Sequence, residues 1–218
     1  MELSYASSLK VLNDSNMDYV ITNIKPESSE TPKEYCLRVF KTTSPDQLSI
    51  WSMVWTLIYH FGNKLDLNFI DVSKCYALNN LFQDMDFQGD ISKWDTSNVR
   101  GMDSIFCGST FNGDISNWDV SHVKDMYRAF QSSKFNGDLS KWNTINVKNF
   151  KFCFEKSAFN GDLSNWIIRQ DAKTEDMFRN SPLEAKYGRN AENLVVTKLT
   201  DLRKQYDNGQ LPVDPFGI

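Results

Sequence analysis

Four aspartates, Asp90, Asp114, Asp138 and Asp162, recur every 24 residues, each directly after a glycine. A column of carboxylates is the ligand type that a hard cation such as calcium selects. One carboxylate per interval falls short of the several oxygens such an ion needs. The competing expectation is turn chemistry, in which each Asp or Ser accepts hydrogen bonds from backbone N–H groups of its own turn. Four cysteines, Cys36, Cys75, Cys107 and Cys153, form no C-x-x-C pair and have no histidine at ligand spacing. They are expected to be reduced and mostly buried thiols rather than a disulfide framework or a zinc site. Of the two histidines, His60 beside Tyr59 is expected to be packed, and His122 is a lone variable position. With no nucleophile–base pair, metal spacing or glycine-rich phosphate loop, the chain is not expected to be an enzyme or to hold a cofactor.

A different set of residues points to binding. Arg100, Lys124 and Lys148 fall in one row at the same interval. Asp103, Tyr127 and Lys151 lie beside it, with Ser104, Arg128 and Phe152. Exposed Arg and Tyr are the residue types that carry binding hot spots. The candidate partner-binding residues are therefore Arg100, Lys124, Tyr127, Arg128, Lys148 and Lys151, facing an acidic or mixed protein surface. A nucleic acid is the lesser alternative, because 24 Lys and Arg against 28 Asp and Glu leave a net charge of −4. Dedicated nucleic-acid binders carry a basic excess.

The elements that position these residues come from a repeat. Phe87, Phe111, Phe135 and Phe159 each open F-x-G-D-[IL]-S-x-W, with Trp94, Trp118, Trp142 and Trp166 closing it. A second aromatic column is Phe106, Phe130, Phe154 and Phe178. Between the two lie Val99, Val123 and Val147, then Met102, Met126 and Phe150. A degenerate first unit begins near Asn63, and a degenerate last one ends at Phe178. One such unit cannot bury its apolar side chains alone, whereas stacked units bury them against one another. Val99, Met102 and Phe106, at i, i+3 and i+7, predict a short helical segment with Ser97 as N-cap. The G-D-[IL]-S-x-W segment predicts a short strand paired in parallel, with Gly89, Gly113, Gly137 and Gly161 supplying positive φ. The expected fold is an α/β repeat solenoid, leucine-rich-repeat-like, over residues 63–182.

The flanks read as caps. Residues 1–62 predict an α+β cap of two strands, in "MDYVITNI" and "KEYCLRVF", and a helix through Ile50–Phe61 begun by Ser44 and Pro45. Trp51, Trp55 and Phe61 are expected on its buried face. Residues 183–218 predict a capping helix over "NAENLVVTKLTDLRKQY" and a loop-like tail. No secretory signal begins the sequence, and its most apolar stretch of 12 residues is too short for a bilayer, so a cytoplasmic chain with no membrane partner is expected.

The stretch "FNGDISNWDVSHVKDMYRAF" resembles the unit of the BspA-type leucine-rich-repeat-like proteins, over roughly Asn63 to Phe178. The resemblance implies a repeat scaffold that binds proteins, often on bacterial surfaces, with no catalytic residues. Similar repeats occur in viruses of bacteria. The expected function is thus a non-catalytic intracellular scaffold, such as a stoichiometric inhibitor or adaptor aimed at a host toxin or defence factor. A surface adhesion protein is the alternative.

Overall fold

A computed structural model describes residues 24–47, 49–194, 196–197 and 207–209. The first flank contains two helices, α1 (Pro32–Val39) and α2 (Ile50–Phe61). The stretch "KEYCLRVF", expected as a strand, is α1, and local capping explains it. Thr31 accepts from the Glu34 N–H while the Glu34 carboxylate accepts from the Thr31 N–H, and Pro32 occupies the first turn. That reciprocal box satisfies two orphan donors and outweighs the weak alternation of the side chains. The other expected strand lies outside the described residues except for Ile24. Helix α2 starts after Ser49 rather than Ser44; an Asp46–Ser49 turn precedes it, and the Ser44 hydroxyl instead donates to Asp71 at 3.0 Å. Its buried face is Ile50, Met53, Val54 and Leu57. Trp51 and Trp55 stack on each other at 5.0 Å and are only half-buried.

Between the flanks, successive units lie on one another at the repeat interval. Parallel bridges join Ala77 to Gly101, Gly101 to Asp125, Asp125 to Asn149 and Asn149 to Lys173, with one more between Asp66 and Asp90. The segment expected to be helical is a run of turns. Alternate N–H groups leave the unit: Met102, Ser104, Phe106 and Gly108 donate to the carbonyls of Asp125, Tyr127, Ala129 and Gln131 at 2.8–2.9 Å. The N–H groups that follow the last three of these, on Ile105, Cys107 and Ser109, donate three residues back within the unit. Left-handed residues recur every four positions to make this possible, at Ser104 and Gly108 (φ 55° and 67°) in this unit. The three-and-four spacing of apolar residues that marks a helix also marks a chain that turns once every four residues. Each such turn needs a positive φ at its third position.

The glycines of the Gly-Asp pairs are not the left-handed residues. A Cβ on Gly113 would stand 2.8 Å from the ring of Phe111, and the same clash recurs at Gly89, Gly137 and Gly161 with the Phe two residues before. Their role is to leave room for the phenyl ring that folds back over them. The resulting core is columnar. Phe106, Phe130, Phe154 and Phe178 stack at centroid spacings of 5.6, 5.2 and 5.8 Å, and Phe87, Phe111, Phe135 and Phe159 at 5.8, 6.2 and 6.1 Å. The indole N–H groups of Trp94, Trp118, Trp142 and Trp166 donate to the carbonyls of Leu67, Ile91, Ile115 and Leu139 at 3.0–3.1 Å. Each Trp thus contributes apolar area and also satisfies a buried carbonyl of the preceding unit.

Both ends of the stack are closed by side chains or short strands. At the first unit, the Gln47 amide accepts from the Tyr76 and Ala77 N–H groups at 3.0 and 2.7 Å and donates to the Ala77 carbonyl at 2.6 Å. It takes the place that a preceding unit would occupy. At the other end, β1 (Ile168–Arg169) pairs in parallel with β2 (Val196–Thr197), and α3 (Glu184–Tyr187) brings the Tyr187 hydroxyl under Leu163. Val196 and Thr197, expected inside a capping helix, are therefore strand; the backbone edge left by the last unit demands ladder partners. The remainder of that expected helix after 197 lies outside the described residues. Gln47→Ala is expected to leave these backbone groups unpaired and cost about 1–3 kcal/mol in urea unfolding, with faster amide exchange confined to the first unit.

Candidate functional site

The carboxylate column is engaged in turns. Asp90, Asp114, Asp138 and Asp162 accept from the N–H groups of Ser92, Ser116, Ser140 and Ser164 at 2.8–3.0 Å. Those bonds favour the charged form and lower all four pKa values. Asp162 falls furthest, to about 2, because the Ser164 hydroxyl and N–H and the Tyr187 hydroxyl all donate to it. Asp71, Asp95 and Asp119 form a second column of the same kind, each accepting from the Ser two residues on. Ser97, expected as a helix cap, is a donor in these turns, as is Ser121. Both columns thus owe their spacing to backbone donors in their own turns.

The four thiols are free, with Cys36, Cys75 and Cys153 buried and Cys107 half-buried. Burial pushes Cys36 up to about 12 and Cys75 to about 11, which keeps them protonated and unreactive. His60 packs against the Tyr35 ring at 5.4 Å, and burial lowers its pKa. His122 is exposed, with its Nδ1 3.2 Å from the Ser121 hydroxyl.

The binding candidates separate into two groups. Tyr127, Arg128 and Lys151 converge on Phe152. The Arg128 guanidinium lies 4.8 Å from the Tyr127 ring centroid and 5.6 Å from that of Phe152, and the two rings meet edge to face at 5.9 Å. Lys151 and Arg179 approach the same Phe152 ring at 5.9 and 6.0 Å. Arg100, Lys124 and Lys148 are exposed and form the other group, a row linked through the backbone. Two members escaped sequence reasoning. Arg179 is held by the buried carboxylate of Glu155, with Nε at 2.8 Å, and by Asp176 at 2.9 Å. Burial opposes the charge on Glu155, but hydrogen bonds from Arg179 and Gln131 outweigh it and its pKa falls. Lys173 continues the row because its N–H donates to Lys148, 25 residues back; strict counting lands instead on Ala172. In the last unit Lys173 thus makes both the bond that Lys148 makes and the bridge that Asn149 makes, and a column count places it with Asn149 alone.

Arg128 and Phe152 also carry backbone strain. They occupy the left-handed column at φ 53° and 59°, where the other units place Asn80, Ser104 and Asp176. Small polar residues tolerate that region, whereas bulky ones pay about 1–2 kcal/mol. Both side chains remain partly or wholly exposed, so burial offsets little of this strain. Backbone strain of this kind is concentrated where function requires a side chain.

The family model described as "Mycoplasma protein of unknown function, DUF285" matches residues 76–190, more than half of the chain. That is a repeat family related to the BspA-like surface repeat proteins. No curated protein and no solved structure matches the chain.

Phe152→Asn is expected to leave the thermal midpoint unchanged or raised, since relief of strain offsets the lost ring contacts. Phe154→Ala, in the same unit but fully buried, is expected to lower stability by about 3–5 kcal/mol. Because the turn aspartates have folded pKa values below their ordinary 3.8, their stabilisation is fully present above that value and is lost as pH falls through the folded values. Thermal midpoints measured across acid pH are expected to hold level above pH 4 and fall below it, roughly down to pH 2. Asp162→Asn is expected to flatten the lower end of that fall.

Proposed function

We propose, from the premise that the chain belongs to the DUF285 family, that it is a non-catalytic scaffold that binds another protein. In this reading the stacked units form a leucine-rich-repeat-like solenoid in which turns take the place of helices. The observation that carries it is the cluster of Tyr127, Arg128 and Phe152, in which the exposed Arg128 and the half-buried Phe152 sit at left-handed positions where other units keep small polar residues, and Tyr127 packs beside them. A guanidinium flanked by rings is pre-oriented, with its donors directed outward for a carboxylate. Aromatic and Arg side chains that lose little freedom on binding are the usual energetic centre of an interface. In its finer form the reading is a stoichiometric inhibitor or adaptor in the cytoplasm, which holds its target rather than transforms it.

The relation of the family to BspA-like surface repeat proteins supports a second reading, adhesion at the cell surface. Protease treatment of intact cells separates the two: cleavage of the chain in place favours the surface, and protection favours the cytoplasm. Binding itself is tested by capture from bacterial lysate followed by mass spectrometry. Lys124→Glu combined with Arg128→Glu is expected to abolish capture of the specific partner with thermal stability intact. Capture that survives this reversal would sink the assignment of the face.

A further inference from the structure

We infer that the partner element seated on the row Arg100, Lys124, Lys148 and Lys173 is an α-helix bearing a single acidic stripe. This rests on the protein-binding reading above. The row is continuous in the backbone: Lys124 N–H donates to Arg100, Lys148 to Lys124 and Lys173 to Lys148, at 2.8–2.9 Å. The parallel bridges one residue along, Gly101 to Asp125 to Asn149, set the coils about 4.8 Å apart, and in the last unit Lys173 itself takes the bridge to Asn149. All four side chains are exposed, and none forms an ion pair among the described residues. Asp171 and Glu175, which feel the charges of Lys148 and Lys173, are already bound to Arg169 at 2.8 Å and Lys151 at 3.4 Å. Four like charges at this spacing repel one another until an anionic array is laid against them.

The spacing selects the form of that array. Acids on one face of a helix recur once per turn, about every 5.4 Å, so the mismatch with the row is about 0.6 Å per coil. Over three intervals it reaches about 2 Å, well within the swing of Lys and Arg side chains. Acids on one face of an extended strand recur about every 6.6 Å, and the mismatch grows to about 5 Å over the same distance. A strand therefore loses register at the ends of the row while a helix keeps it. Asp103 and Asp125 flank the row and disfavour a uniform polyanion, whereas an acidic stripe one residue wide avoids them.

Three fluorescent peptides of equal Glu content provide the test, measured by anisotropy at low and physiological salt. One is a helix with Glu at i, i+4, i+7 and i+11, one is a helix with the same residues spread around its circumference, and one is extended with alternating Glu. The striped helix is expected to bind about tenfold tighter than either of the others. Lys148→Glu with Lys173→Glu is expected to remove that preference, and a striped helix with Lys only at the two positions facing the reversed pair to restore it. Equal binding of the three peptides, tighter binding of the extended one, or displacement of the striped helix by duplex DNA at equal charge would overturn the inference. Capture that depends on Lys124 and Arg128, together with no discrimination among the peptides, would refute this inference alone and leave the protein-binding reading standing.

Discussion

Alternate backbone N–H groups of each unit bond to the unit that follows, 23 residues on, and the rest of the structure depends on that register. It is what brings each Phe beneath its counterpart and each Trp indole to a carbonyl 27 residues earlier. A shift of one residue would turn apolar side chains outward and leave those indoles and carbonyls buried without partners. The desolvation cost of one such orphan is about 1–3 kcal/mol. With four tryptophans in the array the penalty accumulates, so register is specified by polar groups as firmly as by apolar ones.

The same bonding pattern dictates where strain can be carried. Sending every second N–H to the neighbouring unit requires a left-handed residue every fourth position, and most units fill these with Asn, Ser, Asp or Gly. Arg128, Phe152 and Lys156 depart from that choice, and the first two lie in adjacent units with their side chains in contact. The candidate site thus grows out of the scaffold: the fold creates columns of left-handed positions, and two of the three bulky residues that fill them, Arg128 and Phe152 but not Lys156, meet in the cluster. The closed ends follow similar logic. A stack of open backbone edges invites further chains, and Gln47 at one end and β2 at the other occupy the donors and acceptors.

How much was legible from the sequence follows from which interactions repeat with it. The aromatic columns, the units and their approximate limits are visible because one residue type recurs at one interval. The Asp turns are visible for the same reason, since the bond from Asp to Ser is local. The glycine column is equally plain, but its cause is not: the phenyl ring that excludes a Cβ at Gly113 is revealed only by where the ring of Phe111 folds. Helix and multiple turn share the same apolar spacing, so Val99, Met102 and Phe106 could not distinguish them. In the flank, "KEYCLRVF" has an alternation that a capping box overrides.

The sequence by itself determined the period, the core columns and the family, because apolar burial repeated at a fixed interval leaves its pattern in residue types. Only the tertiary structure decided which variable letters act together. Phe152 becomes the centre of a cationic cluster through contacts between units, and Lys173 joins the basic row through a backbone bond that skips one residue. Such groupings depend on the direction of side chains and on a local change in backbone bonding at the last unit. Neither leaves a periodic trace, so the chain had to be folded before they could be seen.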